Sequence, residues 1–146
     1  MSRAFVKDDD DGPEPAISRP ISDAPNRVTP RGLDLLKAAL AQAESDNNER
    51  EMRYYRERIE TAIVVDAMSH KKDVVEFGAT VTAHDDRGAE LRVRIVGEDE
   101  ADPLHGSISA ESPIAQAMLE HRCGDRVVVQ RPAGPIEYSI DTIAYD

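Results

Sequence analysis

At 146 residues, with 32% charged residues and 4% aromatics, the chain has room for one modest core plus an appendage, and that core must be aliphatic. A formal charge of −11 excludes strong independent nucleic-acid binding, because affinity for phosphates rests on Lys and Arg, and it suits a basic protein groove or channel instead. Cys123 stands alone, which excludes an internal disulfide framework, and no apolar run approaches the roughly 18 residues a membrane helix needs.

The opening stretch, MSRAFVKDDDDGPEP, lacks the apolar core of a secretory signal, so a cytoplasmic protein is expected. Residues 1–28 carry Asp8–Asp11 and prolines at 13, 15, 20 and 25. So little apolar surface cannot offset the entropy of ordering, and the segment reads as a disordered, acidic, Pro-rich tail.

Thr29-Pro30 then opens a helix with a capping residue and the residue best tolerated at the first helical position. Leu33, Leu36, Leu40 and Ala43 recur at steps of three, four and three; after the turn AESDNNERE, Met52, Tyr55, Ile59 and Ala62 repeat those steps. The pattern predicts a short antiparallel coiled-coil hairpin over residues 29–66. On its second helix Glu49–Arg53, Arg53–Glu57 and Arg56–Glu60 are spaced for i,i+4 ion pairs on a solvated face.

From about Lys72 the apolar period changes to two. Leu91, Val93 and Ile95, then Val127 and Val129, then Ile136, Tyr138 and Ile140 alternate with polar residues as half-buried antiparallel strands do. Asp85–Gly88 and Pro132–Pro135 supply turns. Between them Ser112-Pro113 caps one short helix, with Ile114, Ala117 and Met118 facing the sheet and Gly124 as the breaker beyond it. The fold class predicted is α+β: a helical hairpin, then a curled antiparallel sheet crossed by one helix over residues 72–146.

No self-contained active site is legible. Nothing in the sequence orients Cys123 except His121 two positions away, and there is no nucleophile elbow. His70, His84, His105 and His121 have no metal-ligand spacing, and none of the eight glycines lies in a phosphate-cradling loop. What remains is Asp46-x-x-Glu49 at the hairpin turn. Two carboxylates so spaced can share a hydrated Mg²⁺, but capping and the helix dipole also favour acids there.

The motifs VTPRG (28–32), FGATV (77–81), RIVGEDE (94–100), ISAESPIAQAML (108–119), CGDRVVVQRPAG (123–134) and IEYSIDTIAY (136–145) resemble those of the bacterial Gre transcription elongation factors, GreA and GreB, with FGATV and RIVGEDE worded more like GreB. The resemblance implies an FKBP-like C-terminal domain that docks on the rim of the RNA polymerase secondary channel, and a coiled coil that enters it. It implies polymerase-binding roles for Glu111, Ser112 and Pro113, with Glu111 standing where the family has Asp. It implies that Asp46 and Glu49 are tip acids that help hold a Mg²⁺ shared with the polymerase active site, although Arg50 replaces the family's Asn.

The hairpin departs from that pattern. Helices of about 15 residues span roughly 22 Å, and the family's first helix has about twenty more residues, so about 30 Å of reach is missing. Metal coordination tolerates only tenths of an ångström. A stubby hairpin on such a domain also resembles Rnk, a polymerase-binding regulator that induces no cleavage. The expectation is therefore a monomeric, cytoplasmic regulator that binds RNA polymerase at the secondary channel without efficient transcript cleavage. It is not itself an enzyme and has no resident cofactor. A genuine cleavage-stimulating factor is the alternative. A peptidyl-prolyl isomerase or chaperone is the remote one, since the sheet domain offers only Phe77, Tyr138 and Tyr145 for an aromatic pocket.

Overall fold

In the computed structural model, which describes residues 19–66 and 73–145, an irregular arm of residues 19–26 leads into strand β1 (Arg27–Val28). Thr29 then caps helix α1 (Pro30–Ser45): its backbone is extended, and its Oγ1 accepts from the Gly32 N–H at 2.9 Å. The helix stops at Asp46, and Asn47 turns the chain with φ 54°, a left-handed conformation that Asn tolerates better than most side chains. Asn48 caps helix α2 (Glu49–Glu60) by accepting from the Glu51 N–H at 3.2 Å. Three turn residues thus return the chain antiparallel, as the matched spacing of apolar residues predicts.

Beyond α2, strand β2 (Ile63–Val64) pairs in parallel with β1, in the register Arg27↔Ile63, and closes the hairpin at its base. The part of the expected tail that is described, residues 19–28, therefore lies against the hairpin, whereas Asp8–Asp11 and His70 fall outside the described residues.

The second half is a five-stranded curled sheet of β3 (Thr80–Asp85), β4 (Glu90–Val96), β5 (Ser107–Ser109), β6 (Arg126–Val129) and β7 (Ile136–Ala144). The strand order is β5-β4-β3-β7-β6. The Asp85–Gly88 turn joins β3 to β4, with Asp85 Oδ1 accepting from the N–H groups of Arg87 and Ala89 and Gly88 at φ +83°. Alternation holds along the strands. Val81, Val93, Ile95, Val127 and Ile140 enter one core with Phe77, while Val128 faces out. Helix α3 (Pro113–Met118) lays Ala115 and Met118 on that core.

Two features differ from the expectation. The sheet is mixed rather than wholly antiparallel, because β4 and β5 run parallel. A 3₁₀ turn at Pro103–His105, closed by Gly106 at φ 85°, sends the chain back in its original direction. The helix also ends well before Gly124. Leu119 leaves helical geometry and Glu120 takes φ 73°, with its N–H donated to the Val75 carbonyl at 2.8 Å, so pairing with the chain before β3 ends it.

Candidate functional site

The hairpin tip places Asp46 and Glu49, both exposed, on either side of Asn47 and Asn48. Asp46 is the C-cap of α1, its N–H donated to Gln42 O and its Oδ1 accepting from Gln42 Nε2 at 3.1 Å; Glu49 opens α2. As hard oxygen donors they fit at most two positions around a Mg²⁺ ion, whose remaining ligands another molecule or water would supply. Among the described residues no group of three or more His, Cys, Asp or Glu side chains is placed to hold a metal.

The Glu111-Ser112-Pro113 loop stands at the opposite end of the hairpin, between β5 and α3. Ser112 Oγ accepts from the Ala115 N–H at 3.3 Å, Pro113 occupies the first helical turn, and Gln116 Nε2 donates to Ala110 O at 2.6 Å. The loop is thus held rigidly by its own helix start, while the side chain of Glu111 faces solvent. Glu111 also lines a narrow cleft with Asn26, Arg58, Gly97 and Glu98, so the loop borders the base of the hairpin.

That base carries a polar joint that the apolar spacing did not reveal. Arg58, to which the sequence pattern gave no role, is 2% exposed; its Nε donates to Asp99 Oδ2 at 2.7 Å. Tyr54, also buried, donates its hydroxyl to Asp99 Oδ1 at 2.5 Å. Burial, followed by the hydrogen bond to Asp99, pushes the Tyr54 phenol up to about 12, so it remains a donor. Glu100, 8% exposed, accepts from Thr29 Oγ1 at 2.5 Å and from Arg31 Nη1 at 3.1 Å. Thr29 thereby uses both capacities of its hydroxyl, accepting from the cap and donating to the carboxylate.

Two glycines permit this approach. A Cβ on Gly97 would lie 2.4 Å from the Arg27 carbonyl oxygen, and one on Gly32 would lie 2.8 Å from Glu100 Oε1. From the arm, Arg19 stacks its guanidinium 3.9 Å from the centre of the Tyr54 ring and pairs with Glu51 at 2.8 Å.

The remaining candidates separate. His84, His105 and His121 each contact an aspartate, Asp141, Asp102 and Asp125 respectively, rather than one another, and Cys123 is exposed. The expected i,i+4 pairs on α2 are not among the ion pairs of the described residues; Arg56 instead reaches across to Glu44 at 3.7 Å. Phe77 is in the core, and the Tyr145 hydroxyl bridges the backbone of Val74 and Glu76, a placement that does nothing to favour an aromatic proline pocket. Arg58 carried one legible signal, its i+4 spacing from Tyr54, and the GEDE run carried another by following directly on a strand.

The described residues thus present a hairpin seated on a curled sheet, with a capped loop beside its base. Residues 70–145, a little over half of the chain, match the family model described as transcription elongation factor, GreA/GreB, C-term, and the chain belongs to that family. It is 47% identical over 88 residues to transcription elongation factor GreA of Anaeromyxobacter sp. (strain K), covering 60% of this chain and 53% of the relative. To transcription elongation factor GreB of Neisseria meningitidis serogroup B it is 41% identical over 98 residues, covering 66% and 60%. The higher identity of these two falls on a GreA, so the motif wording that leaned towards GreB does not separate the two names. The chain spans little more than half the length of these relatives.

Among solved structures, that of the GreA factor homolog Gfh1 of Thermus thermophilus overlaps 83% of this chain and 99% of its own, at 19% identity and a TM-score of 0.46. The Nitrosomonas europaea GreA/GreB structure gives 82%, 99%, 20% and 0.47.

Proposed function

We propose that this chain is a cytoplasmic regulator of transcription elongation that binds bacterial RNA polymerase at the secondary channel. The Glu111-Ser112-Pro113 loop docks on the channel rim, and the hairpin occupies the channel mouth without promoting efficient transcript cleavage. Family membership supports the partner, and the net charge of −11 suits a basic rim, since complementary potential steers encounter.

The observation that carries the cleavage-deficient reading is hairpin length. Helix α1 has 16 residues, or about 24 Å at 1.5 Å per residue, and α2 has 12. A carboxylate on so short a stalk falls short of a catalytic centre deep in a channel by far more than a metal bond tolerates. The chain needs no cofactor of its own for this role.

One observation favours the second reading, a cleavage-stimulating factor: Asp46 and Glu49 are both exposed at the hairpin turn. There they would complete the ligands of a Mg²⁺ belonging to the polymerase. That ion would supply charge stabilisation to an attacking water, while this chain would only position its two carboxylates.

Binding to polymerase, followed by exposure of stalled, backtracked complexes, tests both readings. Polymerase is expected to retain the protein, and Asp46→Ala/Glu49→Ala is expected to bind within about threefold of the parent, about 0.6 kcal/mol, with the RNA length unchanged. Absence of polymerase from the bound fraction overturns the role. RNA shortening that disappears in the variant establishes the second reading.

A further inference from the structure

We propose that Asp99 and Glu100 are positioning residues that couple the docking loop to the direction of the hairpin, so that seating the loop aims the tip. The inference rests on the docking role assigned to Glu111–Pro113 above. Two motifs far apart in the chain, VTPRG and RIVGEDE, meet to form the joint. Adjacent residues of one turn grip different helices, and each uses both carboxylate oxygens. Asp99 takes Tyr54 and Arg58 of α2, while Glu100 takes Thr29 at the cap of α1 and Arg31 in its first turn.

Apolar contact is indifferent to direction, whereas charge-assisted hydrogen bonds are short and angle-dependent. Four of them, two to each helix, fix both the tilt and the roll of the hairpin. The turn that presents the carboxylates is itself tight, with the N–H groups of Glu100 and Ala101 donated to Gly97 O, and Gly97 lets it abut the Arg27 carbonyl.

The same turn is one wall of the cleft bordered by Glu111, and the Ala110 N–H is donated to Val96 O, so no flexible segment separates loop from joint. Arg19, stacked on Tyr54 and paired with Glu51, clasps the outer side of α2. Removing the joint's charges therefore leaves docking intact and releases the tip.

The test uses the full chain with Cys123→Ser, spin labels at the exposed positions Ser45 and Gln130, and measurement of the interlabel distance distribution. The parent is expected to give one narrow distance. In Arg58→Met/Asp99→Asn, which removes both charges and leaves neither buried alone, the width is expected to double at least, with circular dichroism unchanged. Tyr54→Phe/Glu100→Gln, a milder variant that deletes one phenol donor and one charge, is expected to widen it less.

A broad distribution in the parent overturns the proposal, as does the parental mean and width in either folded variant. In parallel, the labelled joint variants are expected to bind polymerase within twofold of the parent, and in the complex their distance distribution is expected to stay at least twice as wide as the parent's. A parental width in the polymerase-bound variants overturns the coupling. If the parent does not bind polymerase, the docking role fails, while the distance measurement still decides the joint.

Discussion

The tip and the base of the hairpin each hold two carboxylates, and almost nothing else about them is alike. At the tip Asp46 and Glu49 stand in solvent, with a single neutral amide, that of Gln42, reaching Asp46. At the base Asp99 and Glu100 are largely withdrawn from water, and every carboxylate oxygen accepts from a residue of a helix or its cap. Solvated acids interact weakly with their own fold and are free to meet a partner. Buried ones must be matched locally, and the matching fixes geometry. The same residue type is therefore available for recognition at one end and committed to architecture at the other.

The largest expected effect comes from breaking the base. Arg58→Ala leaves Asp99 without its ion partner in a buried setting and is expected to lower the unfolding free energy by about 3–5 kcal/mol, measured by urea denaturation. A loss below about 1 kcal/mol would place the pair in effective contact with water.

Tyr54→Phe comes next, with an expected loss of about 1.5–3 kcal/mol for a hydrogen bond to a charged acceptor. It also carries a pH signature. The phenol is raised from 10.0 to about 12, so the folded chain keeps a proton that the unfolded chain has already lost. The contribution is whole below pH 10 and is lost as pH rises towards 12. The parent is therefore expected to lose stability across that window more steeply than Tyr54→Phe. Subtracting one profile from the other removes the contribution of Tyr145, whose phenol burial also raises.

The smallest effect belongs to the tip. Asp46→Ala/Glu49→Ala is expected to change stability by no more than about 0.5 kcal/mol, since neither side chain is buried. A larger loss would mean that the tip acids also serve the fold.

Much of this architecture was legible before any coordinates. The Thr29-Pro30 and Ser112-Pro113 starts, the hairpin turn and the alternating strands rest on interactions within a few residues, which spacing and capping chemistry report directly. Arg58 was not singled out because a charged residue on a helix ordinarily faces water, and only its meeting with Asp99, 41 residues later, buries it. Likewise Glu100 and Thr29 are 71 residues apart, and no local pattern announces their bond. The parallel β4–β5 pair escaped because alternation gives the faces of a strand but not the direction of its neighbour.

By itself the sequence determined the local elements, the acidic surface, the hairpin's length and the family to which the chain belongs, because each follows from residue type and short-range spacing. Tertiary structure alone decided which charges are surface and which are joint. A charge's energy depends on what the fold brings within a few ångströms of it, and here the partners come from opposite halves of the chain.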